Sequence, residues 1–61
     1  MEEIELGKYR IFLSENEVAV KRNEETIYRG KLYDTLFDFI ERIRSLPKDR
    51  QEYELELAFN I

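Results

Sequence analysis

The sequence predicts a small α+β domain, because runs with apolar residues at every second position surround one segment of helical periodicity. Short alternating runs separated by turn-forming residues fill the first half and indicate β-hairpins. One amphipathic segment follows, and another alternating run ends the chain. We therefore expect a two-layer sandwich of order β-β-(β)-α-β. In it, a three- to four-stranded mixed or antiparallel sheet carries one amphipathic helix on one face.

The first two predicted strands meet at Gly7. Apolar residues alternate over residues 4–6 and again over residues 9–13, but the second run has the opposite phase. The register must therefore change at Gly7, through a bulge or a turn.

The next two strands are predicted from weaker patterns. The polar residues 14–17 indicate a hairpin turn, after which Val18 and Val20 resume the period of two. A second turn at residues 23–25 leads into residues 26–32. That segment is either a strand or an extended connection.

A helix is predicted from Asp34 or Thr35, where the periodicity changes. Five apolar residues then share one face at helical spacing: Leu36, Phe39, Ile40, Ile43 and Leu46. Thr35 with Asp38 three residues later resembles a capping box. Pro47 is expected to end the helix.

The clearest strand pattern covers residues 53–61. Apolar residues occupy every second position, namely Tyr53, Leu55, Leu57, Phe59 and Ile61, and polar residues occupy the alternate face, namely Glu52, Glu54, Glu56 and Asn60. Such alternation predicts a strand with one buried and one wet face. Leu57 is then a core residue, and its replacement by alanine should cost about 2 to 5 kcal/mol.

Length and composition indicate one domain that is not stabilised by disulfide bonds or by a Cys/His metal site. The 61 residues suffice for a single core, and Cys and His are absent. The many Glu, Lys, Arg, Ile and Tyr residues resemble the composition of proteins from hot environments. An acidic start and the lack of a long apolar run predict a soluble protein without a membrane span, in the cytoplasm or another intracellular compartment.

Catalysis is not expected from these residue types. No imidazole or thiol is present, and neither Ser14 nor Ser45 lies in a motif that would activate a hydroxyl. Asp34, Asp38 and Glu41 share a helix stripe, but the first two offset the helix dipole and no glycine-rich ligand loop accompanies them. We expect no enzyme activity, no cofactor and no metal site.

The favoured function is binding to another protein, as a small regulatory or interaction domain that forms a homodimer. Apolar side chains cover about half of the predicted helix, which is wider than a core stripe. Tyr33 and Phe37 lie at its rim near Arg44, and these three residues form the predicted interface. Self-association would also stabilise so small a core.

The alternative is a nucleic-acid-binding domain. Basic residues and one ring are expected on the outer sheet face together with Ile27: Lys8, Arg10, Phe12, Lys21, Arg29 and Lys31. Single-stranded nucleic acid is bound by such faces through phosphate attraction and base stacking. The net charge of −4 opposes this function, and Glu52, Glu54 and Glu56 are expected to neutralise the same face. We therefore expect no measurable affinity for single strands near about 150 mM salt.

A further alternative is an acidic mimic of nucleic acid that inhibits a basic protein. Its surface would consist of the helix acids and the glutamate row: Asp34, Asp38, Glu41, Glu52, Glu54 and Glu56.

Overall fold

A computed structural model describes residues 1–59 of the chain as four strands followed by two helices. The elements are β1 (Glu2–Leu6), β2 (Tyr9–Leu13), β3 (Glu17–Arg22), β4 (Glu25–Lys31), α1 (Asp34–Arg44) and α2 (Lys48–Phe59). The α+β class is confirmed, and residues 26–32 do contribute a strand. The predicted order is wrong at its end, because a second helix replaces the last strand.

The sheet is an antiparallel meander in the order β1-β2-β3-β4. The alternation of apolar residues changes phase at Gly7, as expected, because a tight turn connects β1 and β2 there. Gly7 has a φ of 64° in this turn. This left-handed conformation favours glycine, since other side chains are strained there. The turn between β3 and β4 uses Asn23 at φ 51° and Glu24 at φ 73°.

A register shift interrupts the pairing of β3 with β4. Val20 pairs with Tyr28, whereas Lys21 pairs with Thr26, so Ile27 is an extra residue in β4. A bulge of this kind changes which face the following side chains point to. Ile27 packs against the core instead of joining the outer face, where the sequence placed it.

The core lies between one sheet face and the two helices. Its buried residues are Ile4, Leu6, Tyr9, Ile11, Leu13, Val18 and Val20 from the sheet, Ile40 and Ile43 from α1, and Leu55 from α2. Each sheet member follows the alternation that predicted it. The Tyr9 hydroxyl is buried without a hydrogen-bond partner among residues 1–59.

Helix α1 follows its predicted face but not its predicted cap. Tyr33 occupies the N-cap position, and no side chain caps the helix, so the Thr35–Asp38 capping box does not form. The helix ends at Arg44, where the Ser45 hydroxyl donates to the carbonyl of Arg42 at 2.8 Å.

Helix α2 replaces the predicted final strand. The carbonyl of Pro47 accepts hydrogen bonds from the amides of Arg50 and Gln51, and the Gln51 side chain donates to the carbonyl of Arg44 at 3.2 Å. The segment contains three Glu, two Leu, one Gln and one Ala, which all have high helix propensity. No helix in the part of the chain that the structure describes is long and apolar enough to cross a membrane.

Apolar residues at every second position do not share one face when the segment is helical. Residues two apart are about 200° apart around the axis, so Leu55 and Leu57 face opposite sides. Leu55 is fully buried, whereas Leu57 is 62% exposed. The prediction that Leu57 belongs to the core is therefore wrong. Asn60 and Ile61, which the sequence assigned to the same strand, lie outside the described residues.

Candidate ligand and partner surfaces

The outer sheet face carries five of the six residues predicted to bind nucleic acid. Strand register defines its rows: Phe12 pairs with Ala19, which pairs with Arg29, while Arg10 pairs with Lys21 and Glu17 pairs with Lys31. Directly paired residues of antiparallel strands lie on the same face. These positions alternate with buried core residues of β2 and β3, so they face away from the helices.

Lys8 is the sixth predicted residue, and it contacts α2 instead of lying on the outer face. Its backbone amide donates to the Glu52 carboxylate at 3.0 Å, and its ammonium lies 3.4 Å from the Glu56 carboxylate. The same Glu52 side chain covers Gly7, where an added methyl group would overlap it. This contact fixes α2 onto the β1–β2 turn.

The predicted glutamate row does not neutralise the outer face. Glu52 and Glu56 contact Lys8, and Glu54 lies 3.5 Å from Arg50 within α2. This correction follows from the helical conformation of the segment, which moves all three carboxylates off the sheet.

Acids of β1 neutralise only one of the outer basic residues. Glu3 and Glu5 lie 3.6 and 3.4 Å from the guanidinium of Arg10. Within residues 1–59, Lys21 and Arg29 form no ion pair. Positive charge therefore remains on the half of the face formed by β3 and β4.

A depression of about 320 Å³ lies on this face. Its lining includes Phe12, Ser14, Glu17, Ala19, Lys21 and Arg29. The ammonium of Lys21 is 5.7 Å from the centre of the Phe12 ring, at the distance of a cation–π contact. The small side chain of Ala19 leaves space between its larger neighbours.

A second, apolar groove of about 480 Å³ opens at the β4 edge, on the helix side of the sheet. It is lined by Ile27, Tyr28, Tyr33, Thr35, Leu36, Phe39, Ala58 and Phe59. The rings of Tyr28 and Phe59 lie 5.5 Å apart in a tilted arrangement, which joins β4 to the end of α2. Arg42 lies over the Phe39 ring at 5.6 Å and places a positive charge beside the groove.

Two large apolar side chains project from α2 into solvent. Tyr53 and Leu57 are 56% and 62% exposed and lie one turn apart on the solvent side of the helix. Ala58, the next residue after Leu57, lines the groove. We call Tyr53 and Leu57 the α2 stripe. Sequence analysis missed it because strand alternation assigned both residues to the core, although the helix propensity of the segment indicated otherwise.

The three residues of the predicted protein interface lie at the N-cap and on two later turns of α1. Tyr33 is 56% exposed and lines the groove, while Phe37 is 41% exposed on the next turn of α1. Arg44 forms ion pairs with Glu2 at 3.4 Å and Glu41 at 3.1 Å. Its charge is thus engaged with β1 and with its own helix.

The acidic residues considered for nucleic-acid mimicry lie on two different helices. Asp34, Asp38 and Glu41 lie on α1, whereas Glu52 and Glu56 face the β1–β2 turn. In residues 1–59, no group of three or more His, Cys, Asp or Glu side chains is placed to hold a metal ion.

Comparison of the chain with protein-family models, with curated proteins and with solved structures gave no match. The surfaces themselves therefore provide the basis for a functional hypothesis.

Proposed function

We propose that this chain is a non-catalytic protein-binding domain that self-associates, using the α2 stripe and the β4-edge groove as one continuous surface. The observation that carries the proposal is the exposure of Tyr53 and Leu57 on the helix whose Ala58 and Phe59 line an apolar groove. Exposed apolar side chains that form a contiguous patch commonly mark a partner surface. The absence of His and Cys supports a non-catalytic role, since it removes the commonest bases and nucleophiles.

A second copy of the chain is the partner that this surface fits. A projecting stripe beside a groove is self-complementary, because a two-fold axis lets each copy insert its stripe into the groove of the other. Charge agrees with this pairing. Arg42 borders the groove, while Asp49 lies one turn before Tyr53 on α2, so each copy offers opposite charges to the other.

The energetic gain is substantial for a domain of this size. Complete burial of a leucine side chain stabilises by about 1.5 to 3 kcal/mol, and Leu57 is 62% exposed, so about 1 to 2 kcal/mol is available from each copy. Replacing Leu57 by serine should then cost a dimer about 2 to 4 kcal/mol. That loss corresponds to a dissociation constant about 30- to 700-fold weaker.

Sedimentation velocity and light scattering over a concentration series test this proposal. Wild type is expected to show twice the 7.5 kDa mass of the chain at micromolar to millimolar concentration, and Leu57→Ser to remain monomeric over the same range. Circular dichroism should show unchanged folding of the variant at low concentration, because Leu57 contributes little to the core.

Phe37→Ser is the matched control, since it removes a comparably exposed apolar side chain outside the groove. It is expected to leave the dimer intact. Dissociation by Phe37→Ser but not by Leu57→Ser would place the interface on α1, as the sequence predicted, and would overturn the assignment to α2. A monomer at every concentration would overturn self-association itself.

A further inference from the structure

We infer that the depression on the outer sheet face is a binding site for one nucleotide unit of single-stranded nucleic acid. The base would stack on Phe12 above Ala19, and the phosphate would contact Lys21 and Arg29. This site lies on the opposite side of the sheet from the groove and the α2 stripe. It therefore does not depend on the proposed self-association.

Strand spacing sets the width of the site. Phe12 on β2 and Arg29 on β4 are both direct neighbours of Ala19 on β3, so two strand spacings of about 4.8 Å separate their backbones. One planar ring in contact with a group on each side needs about 7 to 8 Å. A single base fits between Phe12 and Arg29, with the methyl group of Ala19 as the floor.

The distribution of charge suits a nucleotide. Lys21 and Arg29, which have no ion-pair partner in the described part of the chain, supply positive charge on two sides of the depression. Glu17 lies at another side, where its carboxylate would accept a hydrogen bond from the exocyclic amino group of a base. Arg10 is occupied by Glu3 and Glu5, so it would contribute less.

The expectation that this face is neutral rested on Glu52, Glu54 and Glu56. Those carboxylates lie on α2, so of the two reasons for expecting no affinity only the net charge of −4 remains. The Lys21 ammonium lies 5.7 Å from the centre of the Phe12 ring, so a base that stacks on this face would displace the ammonium toward the phosphate. Single strands fit better than a duplex, because only unpaired bases expose their ring faces.

Fluorescence anisotropy with a labelled oligodeoxycytidine of about ten nucleotides tests the site, since small single-strand-binding folds cover about 4 to 16 nucleotides. The wild-type protein should bind saturably at about 50 mM salt, and binding should weaken as salt rises toward about 200 mM. Phe12→Ala should weaken binding about 5- to 150-fold, through loss of one stacking contact. Lys21→Ala should lower the salt slope by about 0.7.

Two further variants distinguish binding in the depression from non-specific electrostatic attraction of the oligonucleotide. Ala19→Leu keeps every charge but fills the floor of the depression, and it should weaken binding at least as much as Phe12→Ala. Lys48→Ala removes an exposed positive charge at the start of α2, away from the sheet face, and should leave affinity unchanged. Thermal melts of both variants check that the fold persists.

Three outcomes would overturn the inference. The first is the absence of saturable binding at about 50 mM salt, where phosphate contacts are strong. The second is equal weakening by Lys48→Ala and Lys21→Ala with no effect of Ala19→Leu, which would show attraction without a site. The third is equally tight binding of cytidine monophosphate, measured by competition, because it would assign the site to a free nucleotide instead of a strand.

Discussion

Alanine substitutions at Leu55 and Leu57 test the central structural finding, which is that the last described segment is a helix. Both positions carry the same side chain and are two residues apart. On a strand they would face the same side of the sheet, and both substitutions would create cavities in the core. On α2 they face opposite sides, so only one of them should destabilise the monomer.

The expected magnitudes follow from burial. Leu55 is fully buried against the sheet and α1, so Leu55→Ala should cost about 2 to 5 kcal/mol. Leu57 is 62% exposed, and its replacement should change the monomer's stability by no more than about 0.5 kcal/mol. Since a domain of this length is stable by roughly 3 to 9 kcal/mol, Leu55→Ala removes a large part of the total.

Urea denaturation followed by far-ultraviolet circular dichroism measures both values. The protein concentration should lie below the dissociation constant of the dimer, because Leu57 contributes to the proposed interface only when a second copy is bound. If Leu55→Ala does not fold, Leu55→Val provides a milder truncation with a cost of about 1 kcal/mol. Similar losses for Leu55→Ala and Leu57→Ala at low concentration would refute the helical assignment and support a strand.

Two other substitutions test local contacts. Gly7→Ala should cost about 2 to 4 kcal/mol, because it strains a left-handed residue and displaces the Glu52 carboxylate from the Lys8 amide. In a Glu52→Ala background the cost should fall to about 1 to 2 kcal/mol, and an unchanged cost would show that the carboxylate contact contributes nothing. Tyr9→Phe should raise stability by about 1 kcal/mol, since it removes a buried hydroxyl that has no partner within residues 1–59. A lower melting temperature for Tyr9→Phe would show that the hydroxyl is hydrogen-bonded in solution.

Strands β1 to β3 and α1 were predictable because their patterns have one physical solution. In β1 and β2, apolar residues alternate in opposite phases on either side of Gly7, which requires a change of register there. The apolar face of α1 likewise matches only the helical period. In such segments local pattern and tertiary burial agree, and the sequence alone is then sufficient.

The final segment was not predictable in the same way, because two of its signals conflict. Alternating Tyr53, Leu55, Leu57 and Phe59 favour a strand, while the glutamates and Ala58 between them favour a helix. A strand would have buried all four apolar residues, but the helix leaves Tyr53 and Leu57 in solvent. The helix is instead supported by contacts that the pattern does not contain, such as Glu52 on the β1–β2 turn.

The error in that segment also affected the surfaces that the sequence analysis expected. With Glu52, Glu54 and Glu56 placed on a strand, the outer face appeared neutral and the predicted interface lay on α1. With the same glutamates on α2, Lys21 and Arg29 have no ion-pair partner within residues 1–59. Tyr53 and Leu57 are then exposed on α2 instead of buried in the core. Site residues on the first three strands were predictable from alternation alone, whereas their electrostatic environment depended on long-range packing.

The bulge in β4 links the two proposed surfaces. Lys21 pairs with Thr26 on the outer face. Without the extra residue, strict alternation along β4 from Thr26 would place Ile27 toward the helices and Tyr28 on the outer face. Because of the bulge, the side chains of Ile27 and Tyr28 both lie on the helix side of the sheet, where they line the apolar groove. The same shift keeps Tyr28 off the outer face and leaves Arg29 directly beside Ala19. One inserted residue thus makes the groove apolar and the opposite face polar, and no alternation in residues 25–31 reveals it, because that stretch lacks a regular apolar pattern.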